Sequence, residues 1–165
     1  MPILDEHSLD FVSHSPDQTR RLGVRLGELL KPGDLVLLAG DLGAGKTTFA
    51  QGIARGWGSL DPVTSPTFVL INEYRRADEA RLYHFDGFRL EDGAEAASLG
   101  LQEMIEEGGP LLIEWPERVR SMLPEHGLWV HLRWVDDSRR ALRLEAHGAR
   151  SETLLRQFRK AAFGG

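Results

Sequence analysis

Apolar residues recur along this 165-residue chain with three different periods. Leu22, Leu26, Leu29 and Leu30 fall on one face at helical spacing. Just before them, Ser15-Pro16-Asp17-Gln18 supplies a capping hydroxyl, a proline for the first helical position and a glutamine that completes a capping box. Lys31-Pro32-Gly33 ends that helix. Leu35-Val36-Leu37-Leu38-Ala39 is a short continuous apolar run, the pattern of a strand buried on both faces of a parallel sheet. A glycine-rich stretch follows at once, and Thr47 to about Trp57 reads as helix. Phe68 to Tyr74 and Arg81 to Phe85 read as strands joined by the polar stretch Arg75 to Ala80. Glu91 to Glu107 reads as helix with a break at Gly100, and Leu111-Leu112-Ile113 is a second buried-strand run closed by Pro116.

The last third changes period. Leu128, Val130, Leu132 and Trp134 alternate with Trp129, His131, Arg133 and Val135. Asp136-Asp137-Ser138 is a turn, and Ala141 to Ala146 alternates again, which predicts a β-hairpin with one covered face. Ser151 is expected to cap a final helix carrying Leu154, Leu155 and Phe158. The sum predicts a three-layer α/β domain, with a mainly parallel central sheet and a C-terminal antiparallel hairpin, in one domain spanning residues 1–165.

Composition narrows the function classes. Hydrophobic residues make up 41% and charged residues 27%, enough for a packed core under a soluble surface. No apolar run reaches the length of a membrane span, and the acidic start Met1-Pro2-Ile3-Leu4-Asp5-Glu6 lacks the pattern of a signal peptide. With no cysteine, disulfides and thiolate zinc sites are excluded. A cytoplasmic protein with no membrane partner is the expectation. The net charge of −5 argues against a dedicated nucleic-acid binder, which usually carries a basic excess. Lys31, Lys46 and Lys160 are the only lysines in an arginine-rich chain, so a lysine at mid-chain position 46 suggests a task that arginine cannot perform.

The segment Gly40-Asp41-Leu42-Gly43-Ala44-Gly45-Lys46-Thr47, followed by Thr48, meets the pattern G-x-x-x-x-G-K-[ST]. It lies between a predicted buried strand and a predicted helix, as a phosphate-binding loop must. Polyphosphate needs many convergent donors, and successive backbone N–H groups supply them. Glycines let the backbone wrap closely, and the following helix points the positive end of its dipole at the anion. In such a loop Lys46 meets the β- and γ-phosphates of ATP, and the Thr47 hydroxyl coordinates Mg²⁺. An acid at the end of a neighbouring strand completes the metal site, and Glu114 after Leu111-Leu112-Ile113 is that candidate.

Three further groups surround these. Val63-Thr64-Ser65-Pro66-Thr67-Phe68 occupies the place of a switch loop, although capping hydroxyls of a plain loop have the same composition. His84 and Asp86 alternate to one side of a strand. Asp86 suits a water-orienting carboxylate and Arg89 a charge-neutralising guanidinium; a structural ion pair between the two is the competing reading. Trp115, next to Glu114, suits either core packing or a cofactor contact.

Taken together, GDLGAGKTT at Gly40 to Thr48, VTSPTF at Val63 to Phe68, YHFDGFRL at Tyr83 to Leu90 and IEWPE at Ile113 to Glu117 resemble the bacterial tRNA threonylcarbamoyladenosine biosynthesis ATPase family, TsaE (older name YjeE). Thr19-Arg20-Arg21-Leu22-Gly23 resembles that family's early T-x-x-L-G, and the likeness spans about residues 15 to 145. The resemblance implies a single-domain P-loop NTPase fold. It implies a weak ATPase that works with two partner subunits, which transfer a threonylcarbamoyl group to the adenosine beside the tRNA anticodon. ATP hydrolysis then serves turnover of the assembly, and tRNA is the substrate of the whole. It also implies metal roles for Thr47 and Glu114, catalytic roles for Lys46, Asp86 and Glu114, and nucleotide-base contacts by Thr19 and Arg139. Phe88 stands where the family often has tyrosine. Arg89, Arg118 and Arg120 are candidate arginine fingers.

Rival functions fare worse. A GTPase needs an Asn/Thr-Lys-x-Asp motif, and none of the three lysines lies in one. A P-loop kinase needs a water-excluding lid, and no such insertion follows Glu114. A nucleotide-sensing module stays the alternative, with the presence of both Asp86 and Glu114 weighing toward hydrolysis.

Overall fold

The computed structural model describes residues 3–4, 7–61, 71–88, 90 and 100–164. The predicted switch segment 63–68, Arg89 and residues 91–99 of the predicted long helix lie outside the described residues, as does the start of the strand expected from Phe68. Strands are β1 (Ile3–Leu4), β2 (Ser8–Ser13), β3 (Leu35–Ala39), β4 (Ile71–Arg75), β5 (Arg81–Asp86), β6 (Leu111–Glu114), β7 (Gly127–Trp134) and β8 (Arg140–His147). Helices are α1 (Pro16–Gly27), α2 (Lys46–Trp57), α3 (Leu101–Glu107) and α4 (Ala149–Phe163), with a 3-10 segment over Pro116–Met122.

The strands form one sheet in the order β1-β2-β8-β7-β3-β6-β5-β4. The expectation of a mainly parallel sheet needs correction. Only the four central strands are mutually parallel, through β7–β3, β3–β6 and β6–β5. Both flanks are antiparallel, so the sheet is mixed. The physical reason is the placement of β7. Leu128, Val130 and Leu132 bury the same face that Val36 and Leu38 of β3 bury, so β7 pairs with β3 inside the sheet. The C-terminal hairpin is present, but its first strand is central, and β8 carries the sheet on to β2. The sequence reading assigned no strand before Ser15; Leu9 and Phe11 nevertheless alternate inward from β2.

Helices cover both faces. Leu22 and Leu26 of α1, Phe49 and Ile53 of α2, and Leu154, Leu155 and Phe158 of α4 pack with one face. Leu101 and Met104 of α3 and Val119 pack with the other. α1 begins as expected: the Gln18 N–H donates to Ser15 Oγ at 3.0 Å. The Gln18 side chain accepts from the His14 N–H at 2.6 Å, one residue before the cap. The expected cap of α4 is displaced. Gly148 (φ 93°) is the capping position, and Ser151 sits buried in the first turn. β8 runs to His147, so the chain must reverse at once, and glycine accepts that backbone.

α1 and α2 touch backbone to backbone. A β-carbon on Gly27, Gly52 or Gly56 would overlap a carbonyl oxygen of the opposite helix, at Ile53, Arg20 and Val24 respectively. The helix that follows the glycine-rich loop is therefore held against α1 at a distance only glycine permits. Among the described residues, no helix is long and apolar enough to cross a membrane.

Candidate functional site

The loop from Gly40 to Gly45 leaves the C-terminal end of β3 and enters α2 at Lys46. Gly40, Gly43 and Gly45 all take positive φ, at 150°, 81° and 100°. Gly40 also packs so closely on β7 that a β-carbon there would overlap the Leu132 carbonyl. Gly45 is the N-cap of α2 and offers no side chain to the first-turn N–H groups. Those donors, with the helix dipole behind them, form the kind of surface that binds an anion. The Phe49 N–H is the first to close the helix, onto Gly45 O at 2.9 Å.

Lys46 is buried, and its ammonium donates to the carbonyls of Gly40 and Asp41. It lies 3.8 Å from the Trp115 ring centroid, a cation–π contact. Burial pushes the Lys46 pKa down, while Glu114, Glu117, Asp86 and Asp41 oppose that shift. Trp115 takes φ 57° and ψ 51°, a left-handed conformation that is strained for a tryptophan. Its ring also packs on Phe88 at 4.9 Å, so the ring has one neighbour on the loop side and one after β5.

Glu114 ends β6 beside the loop, with its Cα opposite Asp86 of β5 in the ladder. It is only 4% exposed. A buried carboxylate needs partners, and His84 Nε2 meets Glu114 Oε2 at 2.6 Å. On the other side of the imidazole, Nδ1 lies 2.9 Å from the Tyr74 hydroxyl. Burial, with Glu114 adding to it, pushes the Tyr74 pKa up to about 12, so the phenol keeps its proton. The imidazole thus bridges the Tyr74 hydroxyl and one Glu114 carboxylate oxygen, and the other carboxylate oxygen remains for other work. This chain of contacts joins β4, β5 and β6.

Asp86 is half-buried at the end of β5, and its Oδ1 accepts the Phe88 N–H at 2.9 Å. Burial raises its pKa; the Phe88 N–H opposes this, Glu114 adds to it, and His84 and Lys46 oppose it. Thr47 and Thr48 are half-buried in the first turn of α2. Thr47 hydroxyl and Glu114 carboxylate are hard oxygen donors, the chemistry Mg²⁺ takes alongside phosphate oxygens and waters. Among the described residues, no cluster of three or more His, Asp or Glu gathers as a separate metal cage. A site that shares its metal with phosphate does not require one.

The remaining predicted residues are placed as follows. Thr19 is buried in α1, its hydroxyl 2.6 Å from Ser13 Oγ and donating to Ser15 O. Arg139 is held in the hairpin turn by Asp136 at 2.7 Å. Its neighbour Arg140 crosses to the loop, and its Nε donates to Gly43 O at 3.1 Å. Arg118 donates to Leu90 O, and Arg120 lies over Trp129. Sequence reasoning assigned no role to Tyr74 or Arg140.

Comparison with known proteins agrees with the motifs. The family model described as "Threonylcarbamoyl adenosine biosynthesis protein TsaE" matches residues 13–142. The tRNA threonylcarbamoyladenosine biosynthesis protein TsaE of Bacillus subtilis is 39% identical over 140 residues, 85% of this chain and 87% of that protein. Its counterpart from Treponema pallidum is 41% identical over 131 residues, 79% of this chain and 96% of that one. The crystal structure of YdiB from Bacillus subtilis superposes with a TM-score of 0.77 at 32% identity, covering 97% of each chain. With a loop, a buried acid and a partner strand in this arrangement, and a family match across most of its length, the chain belongs to the TsaE family of tRNA threonylcarbamoyladenosine biosynthesis proteins.

Proposed function

We propose that this chain is a Mg²⁺-dependent ATPase, acting as one P-loop domain, that supports threonylcarbamoylation of the adenosine beside the tRNA anticodon. The observation that carries the reading is the convergence of Lys46, Glu114 and Asp86 on one loop. Lys46 Nζ touches that loop, and Asp86 and Glu114 face each other from adjacent strands beside it. In this reading the loop N–H groups and Lys46 bind the ATP phosphates, and Thr47 and Glu114 hold Mg²⁺. The metal, when bound, neutralises charge on the transferring phosphoryl group. Asp86 orients the attacking water, and Trp115 keeps Lys46 in place and excludes bulk solvent.

The partners in this reading are the two transferase subunits, in the cytoplasm, with tRNA as the substrate of the assembly. Arg118 and Arg120 are engaged elsewhere among the described residues, which favours slow hydrolysis until a partner completes the site. The test is ATP turnover with and without the two subunits and tRNA. Turnover should be slow alone, and faster by about 10³-fold if a partner supplies a finger in trans. Lys46→Ala should abolish it and stop sustained tRNA modification. Undiminished modification with the Lys46→Ala protein would overturn the reading.

A further inference from the structure

We propose that Trp134 is the stacking platform for the nucleotide base, a role that rests on the ATP-site reading above. β7 runs directly beside the phosphate loop. Gly40 is pressed on the Leu132 carbonyl, and a β-carbon on Gly45 would lie 3.7 Å from the Leu132 side chain. Trp134 is two residues further on, so it shares the face of Leu132 and stands about 7 Å beyond it along the strand. Its ladder partner is Arg140, whose Nε reaches Gly43 O at 3.1 Å. The tryptophan thus stands beside a hairpin side chain that bonds to the loop.

Burial singles out the ring. Leu128, Val130 and Leu132 are 0%, 0% and 3% exposed, whereas Trp134, next on the same face, is 53% exposed. α2 starts only at Lys46, after the loop, and β7 continues to Trp134, where the exposure rises. The direction of the nucleotide follows from the sheet order β7-β3-β6. Glu114 and Asp86 lie on the β6 side and draw the metal-bound γ-phosphate there. The nucleoside must then leave on the opposite side, toward β7 and its hairpin. An indole face met by a purine there gains stacking energy with any base, because every base has a π-face. The platform therefore raises affinity and does not by itself choose adenine.

Calorimetric titration with MgATP and with magnesium triphosphate, which has no base, separates platform from phosphate site. Trp134→Ala should weaken MgATP binding roughly ten- to hundred-fold. It should leave triphosphate binding unchanged, and Trp134→Phe should retain most of the ATP affinity. The exposed position predicts an unchanged melting curve for both variants. Equal ATP affinity in Trp134→Ala and native protein overturns the proposal. So does an equal loss for triphosphate and ATP. Unchanged ATP affinity with lost stimulation by the transferase subunits would make Trp134 a docking anchor and overturn it too. If the native protein binds neither ligand, the ATP-site reading itself fails, which is a different result from a failed platform.

Discussion

Replacing His84 by leucine keeps a side chain of similar bulk on β5 and removes both ring nitrogens. Glu114 then loses its partner at 2.6 Å and Tyr74 its partner at 2.9 Å, in surroundings where the two residues are 4% and 3% exposed. An unsatisfied buried hydroxyl costs about 1–3 kcal/mol, and a buried carboxylate stripped of its partner about 3–5 kcal/mol. Because the two losses overlap in one network, about 3–5 kcal/mol in total is the expected destabilisation. A domain of this size loses about 2–4 °C of melting temperature per kcal/mol, so the variant should melt about 6–20 °C lower. Tyr74→Phe removes only the terminal bond and should cost about 1 kcal/mol. A purely structural role would end there. If His84 also aims Glu114 at the metal, the Mg²⁺ needed for tight ATP binding should rise about ten- to hundred-fold in the surviving folded protein. Calorimetric melting together with Mg²⁺ titration of ATP binding reads both effects. The His84→Leu effect on the Mg²⁺ requirement should vanish in a Glu114→Gln background, since there is then no charge to aim. A His84→Leu protein that melts with the native chain and keeps its Mg²⁺ requirement refutes the reasoning.

Asp86→Asn should lower hydrolysis while ATP still binds, and its stability effect depends on pH. Burial raises the native pKa, so the native state holds the proton more tightly than the unfolded chain does. Stability of the native protein therefore falls as pH climbs from the ordinary aspartate range through the raised value, and the penalty persists above it. Asparagine keeps an oxygen for the Phe88 N–H and lacks the penalty. Its melting temperature should match native below pH about 3.5 and exceed it near neutrality; the opposite trend in melts across pH would contradict the assigned burial. Gly52→Ala would place a methyl against the Arg20 carbonyl. Against a backbone atom the overpacking cost falls in the upper range of about 2–3 kcal/mol, which less a helix-propensity gain of about 1 kcal/mol leaves about 1–2 kcal/mol, so the melting temperature should drop by about 2–8 °C. A rise would show that α1 and α2 are not in backbone contact.

The phosphate-loop candidate was legible because its information is local. Eight consecutive residues carry the glycines, the lysine and the threonine, and the flanking strand and helix announce themselves by period. The capped start of α1 and the alternation of β7 and β8 are local in the same way. Other features depended on contacts that no short window contains. β2 is six residues long, and its partner β8 lies more than a hundred residues away, so its pattern carried no weight until that pairing formed. The parallel union of β7 with β3 put a hairpin strand at the centre of a mixed sheet, because its apolar face continues the surface under α2. Sequence reasoning named Glu114 but not what keeps it in place. Tyr74, His84 and Glu114 come from three strands and meet only when β4, β5 and β6 stand side by side. The contact of Arg140 with the loop likewise depends on the sheet. A residue's side of a strand alternates at each step, and β8 turned Arg140 to the loop while the hairpin turn kept Arg139 with Asp136. Sequence determines which chemistry is present and its local frame. Tertiary structure decides which groups share a low-dielectric site, because that depends on strand order and burial rather than on neighbours in the chain.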